Sequence, residues 1–354
     1  MTPDKRVELE ACLKRASEIL YEDSDPESLE TLEDIEKKVR EKMLSEVSPK
    51  IALFLPLRKT GTNRGRKRKL KSVLGILNLT SKQAERLRIE PYSRYSPLLE
   101  KCCLLLSANE SYRDAERDSL LLTGMKVGHS THQRKVENRI GSPPDMKGKV
   151  GEIAIDGGTV RIRGEVGEKS FWKEYKTARL GGVYYGAFYQ DNESLVNWIN
   201  SQKLTDPLFC IGDGHDGVWN IMAEIGDRDR RVEILDWYHL MENLYKTEAS
   251  KNQSEQLKAY LWTGQVQAAV DYLVEKKFIG GYQFKNYILK HRSRIIDYRY
   301  FQWQEICSIG SGAVESAVKQ IGHRVKLTGA QWKPQNVSRI LQLRCDYLNG
   351  QFAL

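Results

Sequence analysis

Three apolar runs in this chain each lead into an aspartate: Ile153-Ala-Ile-Asp156, Phe209-Cys-Ile-Gly-Asp213 and Glu233-Ile-Leu-Asp236. Each run reads as a strand turned toward a core. A carboxylate at the end of such a strand is costly unless it is paired, protonated or bound to a cation. Three of them in one chain restrict it to folds that gather the strand ends around a shared counter-charge.

The order of elements narrows the choice. From residue 151 three strand-like runs (151–166, 170–182 and 183–191) separated by turn residues predict an antiparallel meander. A helix over 193–202, the strand 207–212, a helix over 217–225 and the strand 232–235 follow, and 237–300 reads as helices. That is the element order of an α/β, RNase H-like fold, whose first and fourth strands are neighbours. Asp156 and Asp213 are therefore expected side by side.

A further carboxylate, Glu315, stands in SIGSGAVESAVKQIGHR, where Ser311-Gly-Ala-Val-Glu315 reads as a helix beginning. Glu315, Lys319 and Gly322 share one face of that helix. Asp156, Asp213 and Glu315 would form an oxygen-rich cleft whose mutual repulsion calls for divalent cations. Two magnesium ions, with manganese as a substitute, suit such ligands and an in-line phosphoryl transfer. Taken singly, Asp156 and Asp213 read as turn formers before Gly157 and Gly214, and Glu315 as an exposed helix charge. Asp216 competes with Asp213 in GDGHDG, but it suits a helix cap, and Asp213 lies closer to the strand end. Trp219 and Trp237 are either core residues or platforms for an unpaired base.

The amino-terminal part is of another kind. Leu29, Leu32, Ile35, Val39, Met43 and Val47 recur at helical spacing after Ser24-Asp-Pro26, which predicts a long amphipathic helix that packs on a neighbouring domain or dimerises. Residues 58–72 hold the basic run Arg64, Arg66, Lys67, Arg68, Lys69 and Lys71, expected as a flexible arm along phosphates, or else a solvated linker. Residues 97–139 read as helices, the last two joined by Gly124-Met-Lys-Val-Gly128 in the manner of a helix-turn-helix. Ser130, Gln133, Arg134 and Lys135 on the second of them would face DNA. The Gly- and Pro-rich stretch 140–148 predicts a domain boundary.

With 56 Lys and Arg against 47 Asp and Glu, the net charge of +9 favours a polyanionic partner. Six scattered cysteines without a metal-ligand spacing read as reduced core residues. No apolar run approaches the length of a membrane span, and the start MTPDKRVELE lacks the apolar core of a signal peptide, so a cytoplasmic location is expected.

The blocks IAIDGGTVRIR, CIGDGHDGVWN, ILDWYHLMENLY and CSIGSGAVESAVKQIGHRVK resemble the motifs of Mutator-like DDE transposases of bacterial insertion sequences, most closely the Kra-type group. The likeness extends over nearly the whole chain, and the last block is the most specific. It implies that Asp156, Asp213 and Glu315 are the catalytic, metal-binding carboxylates. It implies also that Asp236 and His239, in Asp236-Trp-Tyr-His239, are accessory residues that orient the site or contact DNA. The organisation it implies is amino-terminal helices over 1–57, the basic arm 58–72 and an all-α DNA-binding region 73–145 with the helix-turn-helix. An RNase H-like core over 150–243 and 301–354 would follow, interrupted by an α-helical insertion 244–300. In that insertion Lys290, Arg292 and Arg294 are the expected DNA contacts. The implied partners are duplex DNA, as terminal inverted repeats and target, and further copies of the chain, in a homodimer or larger assembly on the bacterial nucleoid. A nuclease or junction resolvase would keep the carboxylates without needing the arm. A transposase-derived DNA-binding regulator would keep the amino-terminal half and could lose them.

Overall fold

The computed structural model describes the chain except residues 140–142, 144, 311 and 353–354 and the side chains of residues 26 and 313–315. It divides into two compact units, one of residues 1–107 and 111–133 and one of residues 108–110 and 134–354.

The first unit opens with helix α1 (Pro3–Glu22), none of whose residues is buried. Helix α2 (Leu32–Lys42) starts at Thr31, not at the expected Ser24-Asp-Pro26, because Thr31 and Asp34 form a reciprocal capping box. A π-turn (Met43–Val47) leads from it into α3 (Ser48–Thr60).

The basic run departs from a flexible arm. Lys67–Ser72 is a strand, β1, paired antiparallel with β2 (Gly75–Thr80). Strand alternation explains it: Leu70 faces inward and joins Leu77, Leu79 and Ala52 in a small core. Arg68 points to the same side, its guanidinium partly buried and directed at the Glu90 carbonyl. Lys71 donates to the Lys126 carbonyl at 3.0 Å. Arg64, Arg66, Lys67 and Lys69 are exposed.

Helices α4 (Ser81–Arg86), α5 (Pro97–Ser107), α6 (Tyr112–Thr123) and α7 (His129–Glu137) follow. Gly124, in the left-handed region, ends α6, as the turn to α7 requires. Ser130, Gln133 and Arg134 are exposed and Lys135 is half-buried, whereas His132 is fully buried against Ser107 and the Cys103 carbonyl. The division between the units falls within α7, ahead of the expected 140–148. Its end and the residues just beyond belong to the second unit, where Glu137 accepts from Asn336 and Arg139 pairs with Asp346, both at 2.5 Å.

The second unit is a mixed α/β structure on a five-stranded sheet of order β5-β4-β3-β6-β7. Strands β3 (Lys149–Ile162), β4 (Phe171–Leu180) and β5 (Tyr184–Phe188) form the antiparallel meander. Strands β6 (Lys203–Gly212) and β7 (Arg231–Leu235) add in parallel beyond β3, reached through α8 (Asn192–Asn200) and α9 (Asp216–Ala223). After β7 come α10 (Trp237–Tyr245), α11 (Lys251–Trp262), α12 (Val266–Lys276), α13 (Gly281–Lys290) and α14 (Tyr298–Trp303). Helix α15 (Gly312–Val325) returns to pack on β3 and β4, and α16 (Pro334–Leu348) packs on β5 and α15. Ile153, Ile155, Cys210, Ile211, Ile234 and Leu235 are fully buried, which is what their apolar runs require.

Candidate active site

Register places the three aspartates. Ile155 of β3 lies opposite Gly212 of β6, and Gly212 lies opposite Leu235 of β7. The next residue on each strand is Asp156, Asp213 and Asp236, so the three stand at one level across neighbouring strands, about 4.8 Å apart from strand to strand. One expectation needs correction: Asp156 does not end its strand. Strand β3 continues through Gly157 and Gly158 to Ile162, paired with β4 alone, and Asp156 marks the point where pairing to β6 stops. Gly158 serves close approach here, because the Tyr175 ring occupies the space a side chain would take.

The three carboxylates are differently held. Burial pushes the Asp156 carboxyl above the usual range, and the neighbouring Asp213 pushes it further, against the Gly157 amide at 2.6 Å, His239 and Lys176. Asp213 is half-buried and accepts from the His215 amide at 2.9 Å. Asp236 is fully buried and caps α10, accepting from the Tyr238 and His239 amides at 2.6 and 3.1 Å. Its second oxygen lies 3.2 Å from His239 Nδ1. That contact, with Asp213 and Glu242 nearby, raises the His239 pKa to about 9 against the opposing effect of burial. At neutral pH the imidazole is thus protonated beside Asp236.

The segment before α15 is tied to the same place. Trp237 donates its amide to the Ile309 carbonyl at 3.1 Å, and Ser308 donates to Glu152 at 2.7 Å. A side chain on Gly310 would strike the Tyr238 ring, at 2.5 Å. The start of α15 is thereby anchored beside Asp236, while the Glu315 side chain lies outside the described residues. Among the described residues no group of three or more His, Cys, Asp and Glu could hold a metal ion. Asp156 and Asp213 still fit a hard divalent cation by chemistry, since they are adjacent oxygen donors and the Asp213 carboxylate opposes ionisation of Asp156.

Several sequence expectations take other places. Asp216 is not the cap of α9; His215 caps it, accepting from the Gly217 amide at 3.2 Å, and Asp216 pairs with Lys290 at 2.6 Å. Trp219 and Trp237 are core residues, 4% and 6% exposed. Arg294 donates to Glu233 at 2.7 Å and lies 4.0 Å over the Trp219 ring. Arg292 is exposed.

Four residues near the aspartates had no separable signal in the sequence: Lys176, whose amino group bends over Gly157, Tyr175, Tyr287 and His291. The glycine that faces each ring, Gly158 for Tyr175 and Gly214 for Tyr287, was the available clue. No protein-family model matches the chain, and no curated protein matches it. The functional reading therefore rests on the site.

Proposed function

We propose that the protein is a DDE transposase of the Mutator-like group, close to the Kra type, which cleaves the ends of an insertion sequence and joins the freed 3′ ends to target DNA. The observation that carries the reading is Asp156 and Asp213 at one level on adjacent parallel strands, with Asp213 raising the cost of the charge on Asp156. A sheet of order β5-β4-β3-β6-β7 with α15 returning across β3 supports an RNase H-like core, and α11 to α14 are then its helical insertion.

Asp156, Asp213 and Glu315 would hold two magnesium ions, or manganese in their place. When bound, such a pair activates water and stabilises the attacking and leaving oxygens of an in-line displacement. The chain's own groups supply the rest. With no metal bound, His239 keeps its proton at neutral pH and adds a positive charge beside Asp236. Asp236 fixes the ring through Nδ1 and, by capping α10, fixes the helix that carries it. Hydrolysis breaks the phosphorus to 3′-oxygen bond and leaves a 3′-hydroxyl, which then attacks a target phosphodiester and displaces another 3′-oxygen. Neither step needs a covalent intermediate with the protein.

Duplex DNA is the partner in this reading. Exposed Arg64, Arg66, Lys67 and Lys69 on and before the β1–β2 hairpin would follow phosphates, and Ser130, Gln133, Arg134 and Lys135 of α7 would read the terminal repeats as a helix-turn-helix does. Synapsis of two ends calls for a homodimer or larger assembly, in the bacterial nucleoid.

The test is incubation with labelled linear DNA carrying the element's ends, with and without Mg²⁺ or Mn²⁺. Metal-dependent nicks at a fixed position, followed by joined products, are expected. Asp213→Asn is expected to abolish both with end binding retained, and Asp216→Asn to keep most activity, since an exposed ion pair contributes little. Normal cutting by Asp213→Asn would overturn the assignment. Nicks without joining would favour a nuclease, and binding without nicks a regulator.

A further inference from the structure

The turn that carries Asp213 is enclosed by a helix some 70 residues further along the chain. A Cβ on Gly214 would lie 2.5 Å from the Tyr287 ring of α13, so the ring rests on the Gly214 backbone with no room for a side chain between them. One turn further on α13's C-terminal side, His291 is fully buried, and Arg294 approaches its Nδ1 at 3.3 Å. Nδ1 therefore accepts from Arg294, which leaves the proton on Nε2. Arg294 in turn stacks on Trp219 of α9, and the Trp219 ring and Val218 fill the space beside Gly212. Both sides of the 212–219 turn are thus packed, one by α9 and the other by α13 and the residues after it.

We propose that Tyr287 is a positioning residue that clamps the Asp213 turn, so that the helical segment between β7 and α15 sets the direction of the Asp213 carboxylate. The proposal rests on the reading of Asp213 as a reacting-site carboxylate. Backbone contact, not side-chain bonding, carries it: the ring blocks the Gly214 backbone from rotating, and Asp213 already uses one oxygen on the His215 amide of the same turn. A shift of the turn by an ångström would move that carboxylate out of line with Asp156, and misplacement on this scale reduces rates by about a hundredfold. The exposed Lys290 to Asp216 pair contributes little to the clamp.

The test uses the full chain and four variants: Tyr287→Ala, Tyr287→Phe, Gly214→Ala and the double variant Gly214→Ala with Tyr287→Ala. Hydrogen exchange of the 214–217 amides is read first, because it needs no activity. Tyr287→Ala is expected to speed exchange there at least tenfold while the β6 amides keep their protection, and Tyr287→Phe to leave it unchanged. Single-turnover cleavage of end DNA is read second. Gly214→Ala and Tyr287→Ala are expected to lower its rate at least tenfold with Kd for the DNA unchanged. The double variant should recover part of the Gly214→Ala loss, because the added methyl group then finds space.

Unchanged exchange in Tyr287→Ala would overturn the clamp whatever the activity, and so would a Phe variant as impaired as the Ala variant. Faster exchange in a protein whose wild type cuts no DNA would support the clamp and sink the transposase reading instead. A double variant no better than Gly214→Ala, in a wild type that cuts, would refute the steric contact.

Discussion

The His239 to Asp236 contact makes a prediction that holds independently of any DNA chemistry. The His239 pKa rises from its ordinary 6.5 to about 9. The side chain is 29% exposed, so solvent screens it only in part. A shift of this size corresponds to about 3 kcal/mol of preference for the imidazolium in the folded state. The sign follows from proton uptake: where the native state holds more protons than the unfolded chain, stability falls as pH rises. The contribution is therefore complete below pH 6.5, declines by up to about 1.4 kcal/mol per pH unit above it, and is gone once pH passes the folded-state value.

The perturbation is His239→Gln, which keeps a polar side chain of similar reach and removes the charge. All seven tryptophans lie between residues 172 and 332, within the second unit, so their fluorescence follows the unfolding of the unit that carries the site. Urea unfolding between pH 6 and 9.5 is expected to show wild type about 3 kcal/mol more stable than the variant at pH 6, with the two curves converging near pH 9.5. NMR of the imidazole nitrogens should show one histidine still protonated at pH 8. A difference that does not change with pH, or a His239 resonance titrating near 6.5, would refute the electrostatic account.

Three further outcomes follow from the same geometry. Asp156→Asn should stabilise the protein at pH 7 in buffer without divalent ions, since burial and Asp213 disfavour the charged carboxyl; the gain should shrink as pH falls through the raised pKa and vanish below the ordinary 3.8, as melting temperature against pH will show. Gly158→Ala should destabilise by about 1 to 3 kcal/mol through overpacking on Tyr175, and Tyr175→Leu in the same chain should recover part of it in urea unfolding; equal stability of single and double variants would count against the contact. Neutralising Arg64, Arg66, Lys67 and Lys69 should flatten the dependence of DNA affinity on salt by about 0.9 for each phosphate left without its cation, whereas Arg68→Ala should lower the stability of the hairpin more than it changes that slope.

How much of this was legible in the sequence depends on the range of the interaction that fixes each feature. The meander and the neighbourhood of Asp156 and Asp213 could be read because side-chain alternation and a carboxylate after an apolar run are local signals; the parallel pairing that brings Asp236 to the same level could not. The β1–β2 hairpin could not, because in Arg66-Lys-Arg-Lys-Leu-Lys71 the charges mask an alternation in which Leu70 alone is apolar; its partners Leu77 and Leu79 lie beyond the turn. Charge was also a poor guide to Arg294. The same guanidinium suits a phosphate or the pairing with Glu233 and Trp219 that it makes, and sequence spacing does not say that Glu233 is within 2.7 Å.

The glycines show the limit most clearly. Asp156-Gly-Gly158 and Asp213-Gly214 read as turns, since glycine after aspartate is a common turn signal. Gly157 and Gly158 instead lie inside β3, and neither has a positive φ. Their conformations are open to other residues, so the reason for glycine at 158, and at 214, is space. The Tyr175 ring lies where a Gly158 side chain would be, and the Tyr287 ring where one on Gly214 would be. Each glycine follows an aspartate of the site by one or two residues, and each ring arrives from another part of the chain. A glycine that serves close packing and one that serves a turn are identical in sequence; only the ring that faces the first kind tells them apart. In this protein those rings identify the segments, β4 and α13, that pack on the backbone beside Asp156 and Asp213.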